Sequence, residues 1–239
     1  MNDGHAIEGY RTADGVGWIT VSGVAAYRFA AEGPVEAASL GGDVEAIEDT
    51  WLRSVLPLVV QARGTQVLHA SAVYGSAGVV ALCGVSTAGK STVCAALART
   101  GIAAVADDAL GFEVDGGKAT ALTLPFALRL RSASASYLDL PFVAARGVGG
   151  ETLALRAIVI LEPNDDLPSS PSLLAVSPAK GVGALMPHAY CFSLDAGKEE
   201  LVRSYAALAA AIPISRLRFQ RHLGTLDAMV ERVRHVLDG

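Results

Sequence analysis

Long apolar runs are missing from this sequence. A helix that crosses a bilayer needs about 18 consecutive apolar residues. The longest candidates, Ala206 to Ile212 and Ala157 to Leu161, stop well short and are flanked by charge. Cysteine is almost missing too. Cys83, Cys94 and Cys191 have no metal-type spacing, and an odd count gives no disulfide framework. Lysine is scarce, at four against fifteen arginines, and no basic block marks a nucleic-acid surface. The arginines of the last part, Arg203, Arg216, Arg218, Arg221, Arg232 and Arg234, are partly offset by Asp227, Glu231 and Asp238, which reads as a solvated helix face. The opening residues MNDGHAIEGYR have neither the basic nor the apolar region of a secretory signal. These absences predict a cytoplasmic protein that binds neither membrane nor nucleic acid.

Apolar residues are plentiful, at 51% of 239, enough for the core of an α/β domain with an appendage. Residues 7 to about 40 read as short strands broken by Gly and Pro, among them Gly17 to Val24 and Ala25 to Ala31. From Val44 to Ala62 the period is helical, with Ile47, Trp51, Val55 and Leu58 on one face and a break predicted at Pro57. Then come strands at Val67 to Tyr74 and Gly78 to Cys83, a helix over Thr92 to Thr100, and an apolar strand in GIAAVADD. GFEVDGGKATAL reads as a hairpin turning on Asp115-Gly116-Gly117. PFALRLR and LRAIVILEP follow as strands, the second buried on both faces. Residues 163–172 read as a loop, and the remainder as mainly helical: Pro178 to Met186, Leu201 to Ala211 and Thr225 to Leu237, with a short strand or extended segment at Ile212 to Phe219. The predicted organisation is a small β-rich N-terminal part with a closing helix (1–64), then an α/β domain (65–239).

One stretch carries explicit chemistry. Gly84-Val85-Ser86-Thr87-Ala88-Gly89-Lys90-Ser91 matches the phosphate-binding pattern G-x-x-x-x-G-K-S in full, between an apolar strand and a helix that runs on through Thr92. Glycines let backbone amides turn inward as a nest, and the helix start adds its positive end. Lys90 is predicted to reach the β and γ phosphates, and the Ser91 hydroxyl to ligate Mg²⁺. Asp107-Asp108 closes the next strand, 17 residues past Lys90. Consecutive strand residues point to opposite faces, so one carboxylate can serve a metal while the other points elsewhere. The plainer reading is an Asp-Asp turn.

Other candidates divide between function and structure. His69, in LHASAV, is a core histidine or a catalyst. Arg129 and Arg131 alternate with leucines and either reach phosphate or face solvent. Glu113 is a metal-linked carboxylate or a hairpin surface. His188 and the Arg216/Arg218 pair read as structural.

The order LHASAV, GVVALCGVSTAGKST, GIAAVADD resembles the core of HPr kinase/phosphorylase and its relatives, most clearly from Leu68 to Phe112. The resemblance implies an HPr-kinase-like P-loop core with a mixed sheet flanked by helices, plus the small N-terminal β-rich part. It implies ATP and Mg²⁺ as cofactors and a serine hydroxyl as acceptor. It makes Asp107 the general base supported by His69, and places Asp108 at the metal. The LEIRGLG-type signature and the late Pro-Gly-rich loop of the bifunctional enzymes are absent. The layout is instead similar to HPr-kinase-related proteins encoded with ribosomally made peptides, including lasso-peptide kinases. That implies a precursor peptide as partner, and the family also implies homo-oligomers. A nucleotide-binding regulatory module and a small-molecule kinase stay open beside it.

Overall fold

Alternation of apolar and polar residues shapes the start of the chain. The structure is a computed structural model that describes residues 6–166, 170–192 and 197–239. Residues 1–5 of the opening segment and 167–169 of the predicted loop lie outside the described residues. β1 (Ile7–Arg11), β2 (Gly17–Val21), β3 (Ala25–Phe29) and β4 (Val35–Ser39) form a separate antiparallel sheet in chain order. Period two puts Ile19, Val21, Tyr27 and Phe29 on one face. There they cluster with Val55 and Val59 of the helical stretch that follows.

That stretch is α1 (Val44–Thr50), a π-helical turn (Trp51–Val55) and α2 (Leu56–Ala62). Asp43 caps α1, its side chain accepting from the Ala46 amide at 2.8 Å. The break predicted at Pro57 takes the form of the wide turn, with Leu56 N–H bonded to the Trp51 carbonyl. Pro57 has no N–H to return to Arg53, four residues earlier. The Arg53 carbonyl instead faces the Tyr190 hydroxyl, 3.4 Å away.

The rest of the chain runs β5 (Gln66–Leu68), β6 (Ala70–Gly75), β7 (Gly78–Cys83), α3 (Lys90–Ala98), β8 (Ala103–Ala106), β9 (Leu110–Asp115), β10 (Lys118–Thr123), β11 (Phe126–Arg129), α4 (Ser132–Leu138), β12 (Val143–Gly147), β13 (Thr152–Pro163), β14 (Ser172–Val176), α5 (Pro178–Leu185), α6 (Lys198–Ala211), β15 (Ile214–Phe219) and α7 (Leu226–Asp238). Nine of these strands make one mixed sheet, ordered β5-β9-β10-β13-β7-β6-β8, with β15 also on β13 and β14 on β15. β13 is its spine. It pairs antiparallel with β10, Leu153 opposite Ala121, then parallel with both β7 and β15, Ile158 opposite Ala81 and Ile214. Its unbroken apolar run is buried on both faces. Val159 and Leu161 join the cluster under α3 and α7, while Ile158 and Ile160 join the one under α5 and α6.

Two details differ from the sequence reading. The strand predicted from Val67 to Tyr74 is cut at His69, whose amide leaves the ladder for the His188 carbonyl at 2.7 Å. The helices predicted in the remainder are present, but before the first of them β14, over Ser172–Val176, is a strand that was not predicted, paired with β15. The β9–β10 hairpin turns as predicted, with Gly116 and Gly117 at φ 54° and 76°.

The register decides where the site lies. β6 is antiparallel to β7, Ala70 opposite Cys83, and antiparallel to β8, Ala72 opposite Ala106. β7 and β8 therefore run the same way and end where β6 begins.

Candidate active site

Three segments meet at that edge: His69 before β6, the loop 84–89 after β7, and Asp107-Asp108 after β8. The loop follows the conformations its glycines permit. Gly84 has φ 152°, and a Cβ there would lie 2.9 Å from the Ala88 side chain and 3.0 Å from the Leu161 carbonyl. Gly89, at φ 95°, turns the chain into α3. The first helical bond is Val93 N–H to the Gly89 carbonyl, 2.9 Å. Amides before it have no helical acceptor, and the arrangement favours an anion.

Lys90 lies beneath this loop and is only 7% exposed. Its Nζ donates to the Gly84 carbonyl at 3.0 Å and to His69 Nε2 at 3.1 Å. Burial pulls its pKa down, opposed by the Asp108 charge. His69 Nδ1 donates to the Asp108 carbonyl at 3.0 Å. An ammonium can only donate, so this pairing requires a neutral imidazole with its proton on Nδ1. Burial, and then Lys90, lower the His69 pKa and keep it neutral.

Asp107 is equally buried. Its Oδ1 accepts from Ser71 Oγ at 2.5 Å and Ser91 Oγ at 2.9 Å, and its Oδ2 from the Arg129 amide at 3.3 Å. Burial, and then the Asp108 charge, push its pKa up to about 6 against the pull of the two hydroxyls. Asp108 has φ 62°, and the Ala109 amide bonds back to the Asp107 carbonyl at 2.8 Å. That i to i+2 bond around a positive φ is a γ-turn, a strained conformation that turns up at functional sites. Asp108 Oδ2 accepts from Arg53 Nε at 3.2 Å. Arg53 also faces Asp49 at 3.5 Å, and Asp49 pairs with Arg129.

These groups border a cleft of about 280 Å³. Of the predicted residues, Ser86, Thr87, Gly89, Lys90, Ser91, Thr92, His69, Asp107 and Asp108 line it. Gly84 and Ala88 pack under the loop, and Val85 points outward at 60% exposure. The Thr92 hydroxyl is bonded to Ser134 of α4 at 2.9 Å. Arg129 and Arg131 both reach the cleft, Arg131 from the N-cap of α4. Glu113 is exposed on β9 and does not line the cleft. His188 is buried, with its pKa pushed down to about 4, and Arg216 pairs with Glu162 on the sheet. A smaller cleft of about 180 Å³ opens on the other side of Asp108, lined by Arg53, Ser54, Leu58, His69 and Tyr190.

Arg53, Ser71 and Tyr190 were not foreseen. Ser71 had a local signal, two residues after His69 in a strand that Asp107 had to meet. Arg53 and Tyr190 had none, for they arrive from 55 and 82 positions away. Among the described residues no group of three or more His, Cys, Asp or Glu could hold a metal unaided.

The described chain is thus a mixed α/β protein with a candidate anion cradle, a buried lysine and an aspartate pair at one sheet edge. No protein-family model matches it, and neither does any curated protein. Among solved structures, it is similar to the Hpr(Ser) kinase/phosphatase from Coxiella burnetii, with a TM-score of 0.38 and 14% identity over 73% of this chain and 99% of that one. A likeness at that level fixes neither fold nor function. Among the described residues no helix is long and apolar enough to cross a membrane.

Proposed function

We propose that this chain is an ATP- and Mg²⁺-dependent P-loop kinase of the HPr-kinase-like type. Its acceptor is a hydroxyl, a serine of a peptide or protein such as a precursor peptide. One observation carries the reading: the loop motif meets the acid pair, directly through Ser91 to Asp107 at 2.9 Å, and indirectly through Lys90 to His69 at 3.1 Å and His69 to the Asp108 carbonyl at 3.0 Å. A site for Mg²⁺ and a nucleotide uses the Ser91–Asp107 junction whether or not it transfers the phosphoryl group; what favours transfer to a hydroxyl is the second carboxylate, Asp108, facing a second cleft.

The donor set suits the ion. Ser91 and Asp107 would hold Mg²⁺ through hard oxygen ligands. When bound it neutralises charge on the transferring group. Lys90, anchored on the Gly84 carbonyl, donates to the phosphate. Neutral His69 ties Lys90 to the Asp108 main chain. Asp108 borders both clefts and accepts the proton of a hydroxyl entering from the smaller one. The family resemblance implied the reverse, with Asp107 as base and Asp108 at the metal. What supports the exchange is the Ser91 contact of Asp107 and its burial beneath Ser71.

The test is transfer of label from radiolabelled ATP to peptides encoded beside the gene. Asp108→Asn should cut transfer about 10²- to 10⁴-fold with MgATP still bound, and Asp107→Asn should first raise the Mg²⁺ concentration that transfer needs. The opposite pattern restores the order implied by the resemblance. ATP binding with no hydroxyl labelled sinks the kinase reading. It would favour a nucleotide-switched module, a second reading supported by the Arg53–Asp108 pair, which links the N-terminal helical stretch to the site.

A further inference from the structure

We infer that the base and ribose of the nucleotide occupy a second cavity, on the α7 side of the loop, between α3, α4 and the β15–α7 connection. This rests on the nucleotide reading above and adds which way the ligand lies. The cavity is about 390 Å³ and is walled by Val93, Phe219, Leu223, Leu226 and Met229. It shares Thr87, Gly89, Thr92, Arg131 and Ser134 with the phosphate cleft, so the two adjoin across the start of α3.

Its chemistry is that of a flat apolar group with an anion beside it. Arg131 and Arg221 stand among the lining residues and, among the described residues, no carboxylate does. Guanidinium planes stack on aromatic rings as well as pairing with phosphate. His222 is held in place, its Nδ1 accepting from the Gly224 amide at 2.9 Å, which leaves Nε2–H as a donor for a ribose hydroxyl or a ring nitrogen. The other exit from the phosphate cleft, past Arg53 and Asp108, leads to only about 180 Å³. Small-molecule sites commonly run from ~300 to ~1,000 Å³, so size and lining both assign the nucleoside to the α7 side. The acceptor is left the Asp108 side, and the γ-phosphate points toward it.

Two experiments test this. Photolabelling the unmodified protein with 8-azido-ATP should mark peptides within 131–134 or 219–229. Labelling around Arg53 or Tyr190 overturns the inference. Ala133 lines the cavity from an exposed position on α4, so Ala133→Trp should narrow the space and leave the melting temperature near wild type. The variant should lose roughly tenfold or more in ATP affinity, with the affinity for inorganic tripolyphosphate unchanged. Unchanged ATP affinity overturns the inference, as does a wild type that binds tripolyphosphate as tightly as ATP. A wild type that binds neither removes the nucleotide reading itself.

Discussion

Asp107 accepts three hydrogen bonds, yet burial and a neighbouring carboxylate still push its pKa up to about 6. The sign of the consequence is fixed. Between the ordinary value of 3.8 and about 6, the folded chain holds a proton that the unfolded chain has released. This group's share of stability is present below pH 4 and is lost as pH rises through 6. His69 and His188, lowered by burial, act oppositely, since the unfolded chain protonates them first as pH falls. Asp107→Asn removes the falling component alone. From pH 4 to pH 7 the variant should gain on wild type by on the order of 2–3 kcal/mol, read as diverging urea midpoints. Parallel pH profiles would show that Asp107 is already ionised. Lys90 gives a second handle. Its ammonium lowers the His69 pKa, so Lys90→Met should move the His69 titration upward in ring NMR, and an unmoved titration breaks the proposed contact. Lys90, Ser91, Asp107 and Asp108 were legible beforehand because a loop pattern and a strand end are local signals. Arg53 was not, because its helix showed only the spacing of an apolar face.

The elements carry a second kind of tension. The γ-turn at Asp108 sets both carboxylates near the cradle by holding a non-glycine residue at φ 62°. Asp108→Gly and Asp108→Ala both remove the carboxylate, so comparing them isolates the backbone. The glycine variant should be the more stable by about 1 kcal/mol in urea unfolding; equal stability would mean the turn relaxes freely. Where the sequence pattern was local, the elements followed it, as in the β9–β10 hairpin and the doubly buried β13. It failed where tertiary partners decide. SASASYL of α4 has no apolar stripe to announce a helix, and Arg131, read as part of a strand, becomes its N-cap. β14 shows only partial burial and is a strand because β15 lies beside it. His69 breaks its strand for a carbonyl 119 residues away, which no periodicity reports.

At the scale of the whole molecule, the sheet register brings three strand ends into one place and leaves their charges partly unbalanced there. On the proposed reading, an anion and a cation entering together would complete what burial has left costly: the lysine would gain phosphate, and Asp107 a cation beside Ser91. Binding to the folded chain alone stabilises it, by about 2.7 kcal/mol at a hundredfold excess over the dissociation constant. For a chain of this size that is roughly 5–11 °C in melting temperature. The shift should also depend on pH. A cation at Asp107 requires the ionised carboxylate, so binding expels a proton wherever Asp107 is still protonated, and affinity rises with pH through about 6. MgATP should therefore raise the melting temperature more at pH 8 than at pH 5. ATP with a chelator should lack most of that growth, since without the ion nothing displaces the Asp107 proton. A MgATP shift of the same size at both pH values would mean that the cation does not sit at Asp107. Asp108 would then take the metal side, and Asp107 would return as the candidate base.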